Sequence, residues 1–139
     1  MLKSIKHISL IMISVALILL SGCSGGIKGD EAKAHINKFL EAVEAGDYEL
    51  AESYLHPERP ADLQIFFETL KAEEAIDFSL GTEIVKYTGF SSSYYDSTVN
   101  GSAYELEFDA EIGEREVEIE IEIVSNDNGY GIYNFDIDT

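Results

Sequence analysis

Apolar and polar side chains alternate along residues 104–112 and again along 116–123, and Gly113-Glu114 stands between the two runs. A period of two marks half-buried strands, and a two-residue linker with Gly makes a hairpin. Pairing Ile112 with Arg115 fixes the register behind that turn. Glu111 then opposes Glu116, Asp109 opposes Glu118, Glu107 opposes Glu120 and Glu105 opposes Glu122. The other face pairs Ala110 with Val117, Phe108 with Ile119, Leu106 with Ile121 and Tyr104 with Ile123. Upstream the period changes. Ile36, Phe39, Leu40 and Val43 recur at helical spacing, with Asp30 as N-cap and Gly46 as the stop. Asp47 opens a second helix that runs through Leu55, and Pro57 and Pro60 break it. A third helix puts Leu63, Phe66, Phe67 and Leu70 on one face. The stretch "TEIVKYTGF" reads as a strand, and "SSSYYDST" as a loose polar link. Asn100-Gly101 marks a hairpin turn, "SNDNG" is a further turn, and "YGIYNFDID" is the last strand. Helices followed by an antiparallel meander predict one α+β domain.

The amino terminus has a different pattern. Lys3 and Lys6 precede an apolar run over residues 8–20, which ends on small residues just before Cys23. A basic start, an apolar centre and a small-residue end predict a cleaved export signal over residues 1–22. The apolar run is short for a bilayer span and no stop-transfer flank follows. The sequence "LSGC" resembles the lipobox of bacterial lipoproteins: Leu20, Ser21 and Gly22 precede the lipidated Cys. The resemblance implies that Cys23 carries a diacylglyceryl group and becomes the first mature residue. Residues 23–29 would then tether a domain spanning 30–139 to the extracytoplasmic face of the envelope membrane. Ser24 after the Cys suits outer-membrane sorting in a cell with two membranes, by the same resemblance. Cys23 is the sole cysteine, so the mature domain has no disulfide.

Net charge decides the partners next. It is −18, and loss of Lys3 and Lys6 with the signal makes the mature chain two charges more acidic. Nucleic-acid binding is excluded on this balance, because neutralising phosphates takes Lys and Arg. The acid rows on the hairpin also oppose dimerisation through that face, so a monomer is expected. Two readings of the rows stay open. One is a solvated face that keeps the domain soluble. The other is a weak cation face, or a docking face for a basic protein or peptide, made by Glu105, Glu107, Asp109, Glu111, Glu116, Glu118, Glu120 and Glu122. Carboxylates on facing strands lie close enough to share a hard cation such as Ca²⁺. "SNDNG" imitates part of a calcium loop, but Val124 and Phe135 occupy its first and twelfth positions and the match fails.

Phe39, Leu40, Ala42, Gly46, Asp47, Tyr48, Ala51 and Leu55 form a "FL…A…GDY…A…L" pattern. It resembles the opening helices of the nuclear transport factor two-like, or cystatin-like, cone fold. The closing segment "VSNDNGYGIYNFDID" resembles that family's last hairpin, with Tyr130 where Trp is commoner. The resemblance implies a curved sheet wrapped round the helices, leaving a cone-shaped pocket. Some members are isomerases or dehydratases and many are binding modules. Tyr54, His56, Tyr94 and Tyr95 are the candidate pocket residues; His56 is also placed to cap carbonyls at a helix end. His35 reads as a surface or boundary residue. No nucleophile elbow, zinc motif, phosphate loop or dinucleotide fingerprint occurs, and no cofactor is called for. The expected function is a lipid-anchored, non-catalytic binding module; the alternative is a small pocket enzyme of isomerase, dehydratase or hydrolase type.

Overall fold

The computed structural model describes residues 26–139. The export signal, the lipobox residues Leu20, Ser21 and Gly22, and Cys23 lie outside the described residues. Three helices, α1 (Gly29–Glu44), α2 (Tyr48–Glu52) and α3 (Leu63–Glu74), precede a short 3₁₀ turn at Phe78–Leu80. Four strands follow: β1 (Thr82–Asp96), β2 (Gly101–Ile112), β3 (Arg115–Asn126) and β4 (Gly129–Asp138). They pair antiparallel in the order β1-β2-β3-β4, an open meander with the helices on one face. The α+β expectation holds in this form.

Helix ends follow local chemistry. Gly46 has φ 70°, and the Asp47 amide donates to Ala42 O at 3.0 Å, closing α1 in the left-handed cap that glycine suits. Asp47 Oδ1 accepts from the Leu50 amide and Asp62 Oδ1 from the Ile65 amide, capping α2 and α3. Three boundaries differ from the sequence reading. α1 begins at Gly29, so Lys28 and not Asp30 is its cap residue, and both first-turn acids favour the helix dipole. α2 ends at Glu52, because residues 54–56 are taken by β4: the His56 amide donates to Ile132 O at 2.8 Å and the Ile132 amide to Tyr54 O at 2.9 Å. β1 continues through the polar stretch to Asp96, because pairing with β2 supplies what its composition lacks.

The β2–β3 register is the one the alternation predicts, position for position from Ile112↔Arg115 to Tyr104↔Ile123. Gly113 takes φ 63° while Glu114 stays negative, the pattern of a type II′ turn. Asn100-Gly101 is not the two-residue turn expected. The turn spans residues 97–100, Asn100 is left-handed at φ 53°, and Gly101 already pairs with Asp96 and Asn126. Glycine is needed there for proximity: a Cβ would lie 2.2 Å from Ser125 O.

The core lies between α1, α3 and the inner faces of β2, β3 and β4, around Ile36, Phe39, Val43, Phe67, Phe108, Ile119, Ile121 and Ile123. Among the described residues, every member of it lies within residues 27–137. Burying each large side chain contributes about 1.5–3 kcal/mol. That outweighs the cost of the facing carboxylates outside, up to about 1 kcal/mol per pair.

Candidate functional site

The segment after α2 has two prolines and no regular structure of its own, so its fixed position needs outside contacts. His56 supplies several of them. Its side chain is buried, and Nε2 donates to Asn126 Oδ1 and Gly129 O, both at 3.1 Å. Nδ1 accepts from the Glu58 amide at 3.1 Å. Glu58 in turn accepts from Asn126 at 2.7 Å and Asn128 at 3.0 Å, and the Asn126 bond is the leading reason its carboxyl titrates below the ordinary value. The loop is thereby fastened to the β3–β4 turn. Both ring nitrogens of His56 are spent on this, leaving neither to act as a base. The cap role at a helix end is not what the ring performs: α2 has already ended.

A β-bulge in β4 completes the arrangement. Glu122 pairs with Asn134 and Ile123 with Ile132, so Tyr133 has no partner on β3. Its ring meets His56 edge-on, with centroids 5.4 Å apart, and the Arg59 guanidinium lies 4.3 Å over it. Between this loop, α1, α3 and β4 opens a cleft of about 240 Å³. Phe39, Leu63, Phe66, Ile132 and Phe135 give it apolar walls, and Arg59 and Tyr133 stand among its lining as polar groups. Phe66 is 40% exposed although it belongs to an aromatic cluster, at 6.0 Å from Phe135. Among the residues lining the cleft there is no carboxylate or imidazole.

The four expected pocket residues are not brought together. Tyr54 and His56 lie against β4 and the β3–β4 turn. Tyr94 and Tyr95 are on β1, at the opposite edge of the sheet, and are 75% and 63% exposed. None of the four lines the cleft. His35 is a boundary residue: Nε2 donates to Tyr54 O at 2.8 Å, and Tyr54 and Tyr130 pack edge-on against its ring.

The acidic face lies on the outer side of the sheet. Its edges relieve it in part, where Lys86 comes within 3.7 Å of Asp109 and Asn134 donates to Glu122 at 3.1 Å. Partial burial, then the carboxylates of Glu105, Glu107, Asp136 and Glu118, hold Glu120 above its ordinary value. Burial raises Glu122 as well, against the Asn134 hydrogen bond. Among the described residues no three His, Cys, Asp or Glu side chains converge to hold a metal ion. The rows spread charge along flat strands and do not form a cage.

Sequence reasoning missed the cleft, because Arg59, Phe66 and Tyr133 come from three elements that only tertiary packing unites. The two prolines and the aromatic-rich end of the chain were the available signals. No family model, curated protein or solved structure matches this chain.

Proposed function

We propose that the protein is a lipid-anchored module of the bacterial cell envelope. Its domain is of the nuclear transport factor two-like cone type and holds a ligand in the β4 cleft without chemistry. The observation that carries this reading is the cleft: aromatic and aliphatic walls, Arg59 and Tyr133 in its lining, and no carboxylate or imidazole among them. An open meander carrying helices on one face is consistent with the cone fold. The "LSGC" sequence and the apolar run before it support the anchor.

Cleft size sets the ligand class. Drug-sized ligands occupy about 300–1,000 Å³, and about 240 Å³ suits one apolar side chain of a peptide or a small apolar molecule with a polar head. Arg59 lies on the Tyr133 ring, so the head would meet a donor already held in place.

Native mass spectrometry of the mature chain against an envelope extract tests this, alongside the cleft-filling variant Ala61→Phe. A mass adduct on the wild type that is lost in A61F is the expected result. An adduct that persists in A61F places binding elsewhere and overturns the reading of the cleft.

A further inference from the structure

Among the described residues, the helix layer covers little of β1: Ile84 packs against the core and Lys33 lies over Tyr87, but most of the strand is exposed. Tyr87 and Phe90 point to the helix side of the sheet, where their rings meet Phe108 and Tyr104, yet they are 46% and 73% exposed. Tyr94 and Tyr95 continue the strip along the same strand. An exposed aromatic strip of this length on a monomer calls for an occupant. The outer edge of β1 is a poor template for an added strand, because its register slips between Ile84 and Lys86, Tyr87 and Gly89, and Ser93 and Asp96. β4 is different: residues 54–56 run along its edge.

The chain's own tether supplies the decisive geometry. Gly26 lies against Tyr94, where a Cβ would stand 3.5 Å from Tyr94 Cδ2. Two residues, Ser24 and Gly25, separate Cys23 from Gly26, so three Cα-to-Cα steps reach at most about 10–11 Å. A lipid on Cys23 therefore brings Tyr94 close to the headgroups, a layer roughly 5–8 Å thick per leaflet. Tyrosine rings are at home at that depth, with an apolar body and a wet hydroxyl. Charge permits the approach. β1 carries two acids in fifteen residues, Glu83 and Asp96, and Asp96 is engaged by the Thr98 amide and hydroxyl at 2.8 and 2.6 Å. Lys33 lies 4.5 Å over the Tyr87 ring and Lys86 is on the same strand. Asp30 and Glu31 at the start of α1 offset these lysines, so the contact gains little from anionic lipid. The carboxylate rows of β2 and β3 project from the other face of the sheet.

We infer that Phe90, Tyr94 and Tyr95 dock the domain on the lipid surface beside its anchor, holding the edge of β1 against a zwitterionic interface and turning the β4 cleft away. The inference rests on the anchor proposed above, and it deepens that reading by giving the anchored domain one orientation. It also gives the aromatic strip an occupant without a second protein.

The chain has no tryptophan and one cysteine, so both probe and attachment are site-specific. The chain from Cys23 onward holds every core residue found among the described residues. It is coupled through the Cys23 thiol to a maleimide phospholipid in phosphatidylcholine vesicles, as Phe90→Trp and, separately, Ile65→Trp. Ile65 is 62% exposed on α3, which packs at the β4 side of the sheet. F90W emission is expected to shift to the blue and to be quenched by lipids brominated near the headgroup, while I65W stays unshifted and unquenched. Adding Tyr94→Ser and Tyr95→Ser to F90W should relieve the quenching without changing the melting curve, since both rings are exposed. Equal quenching of F90W and I65W overturns the inference. So does a blue shift of F90W that grows with protein concentration in lipid-free buffer, which would assign the strip to a second copy. Chemical coupling makes this result independent of whether cells lipidate Cys23, which the mass of the membrane-purified chain reports by itself.

Discussion

At the scale of single residues, the contacts that matter most are polar or glycine contacts made across long sequence distances. His56 satisfies Asn126 Oδ1 and Gly129 O while its other nitrogen accepts the Glu58 amide. His56→Leu keeps the bulk but orphans these groups, and each unsatisfied buried partner costs about 1–3 kcal/mol. Urea unfolding should show a loss of that order, and an unchanged midpoint would mean that water replaces the ring. Glycines divide into two kinds. Gly46 needs only a positive φ, with nothing within 4 Å of a Cβ, so Gly46→Ala should cost about 1–2 kcal/mol. Gly131 needs empty space, since a Cβ would stand 2.6 Å from both His56 N and Leu55 C. Gly131→Ala should therefore destabilise more than Gly46→Ala and detach residues 54–56 from β4. Equal midpoints for the two variants would contradict this. Gly46 was legible in the sequence because helix stops are local chemistry. Gly131 and the role of His56 were not, because proximity between segments dozens of residues apart leaves no local trace.

At the scale of elements, the β2–β3 hairpin was fully legible, since alternation and a two-residue turn determine a register by themselves. β1 was shortened in the sequence reading and α2 lengthened, because pairing partners overrode local propensity in both. The hairpin also sets the pH response. Glu120 and Glu122 are raised in the folded state, so folding binds protons more tightly there. Their contribution is fully present below the ordinary Glu value of 4.5 and is lost as pH rises through the folded-state value. Glu58, Asp77 and Asp96 are lowered, so they contribute above their ordinary values and lose that as pH falls through their folded-state values. The two sets act in separate windows. Melting temperature should rise on mild acidification from neutrality, pass through a maximum, and fall in stronger acid. A monotonic fall from pH 7 downward would contradict the assignment to Glu120 and Glu122. Because no carboxylate cage forms among the described residues, Ca²⁺ should stabilise no more than NaCl of matched ionic strength. A larger calcium effect in differential scanning fluorimetry would reveal a site that the flat rows do not present.

At the scale of the whole molecule, the helices-then-meander order was enough for the fold class. The sequence could not show which sheet edge stays open. β4 is lined by residues 54–56 and the cleft loop, whereas β1 keeps its exposed aromatic strip and the tether beside Tyr94. The candidate pocket failed for the same reason: Tyr94 and Tyr95 sit across four strands from Tyr54 and His56. The outer face would set carboxylates against carboxylates in a face-to-face pair, so multi-angle light scattering should show a monomer at low salt. A tight dimer in low salt would overturn that. The proposed function stands on a lipid anchor at Cys23, which intact mass spectrometry of the chain extracted from bacterial membranes reads out. The expected mass is that of a chain that has lost residues 1–22 and carries a diacylglyceryl group on Cys23, with Cys23→Ala accumulating as uncleaved precursor. A chain that retains residues 1–22 with a free Cys23 thiol would contradict it.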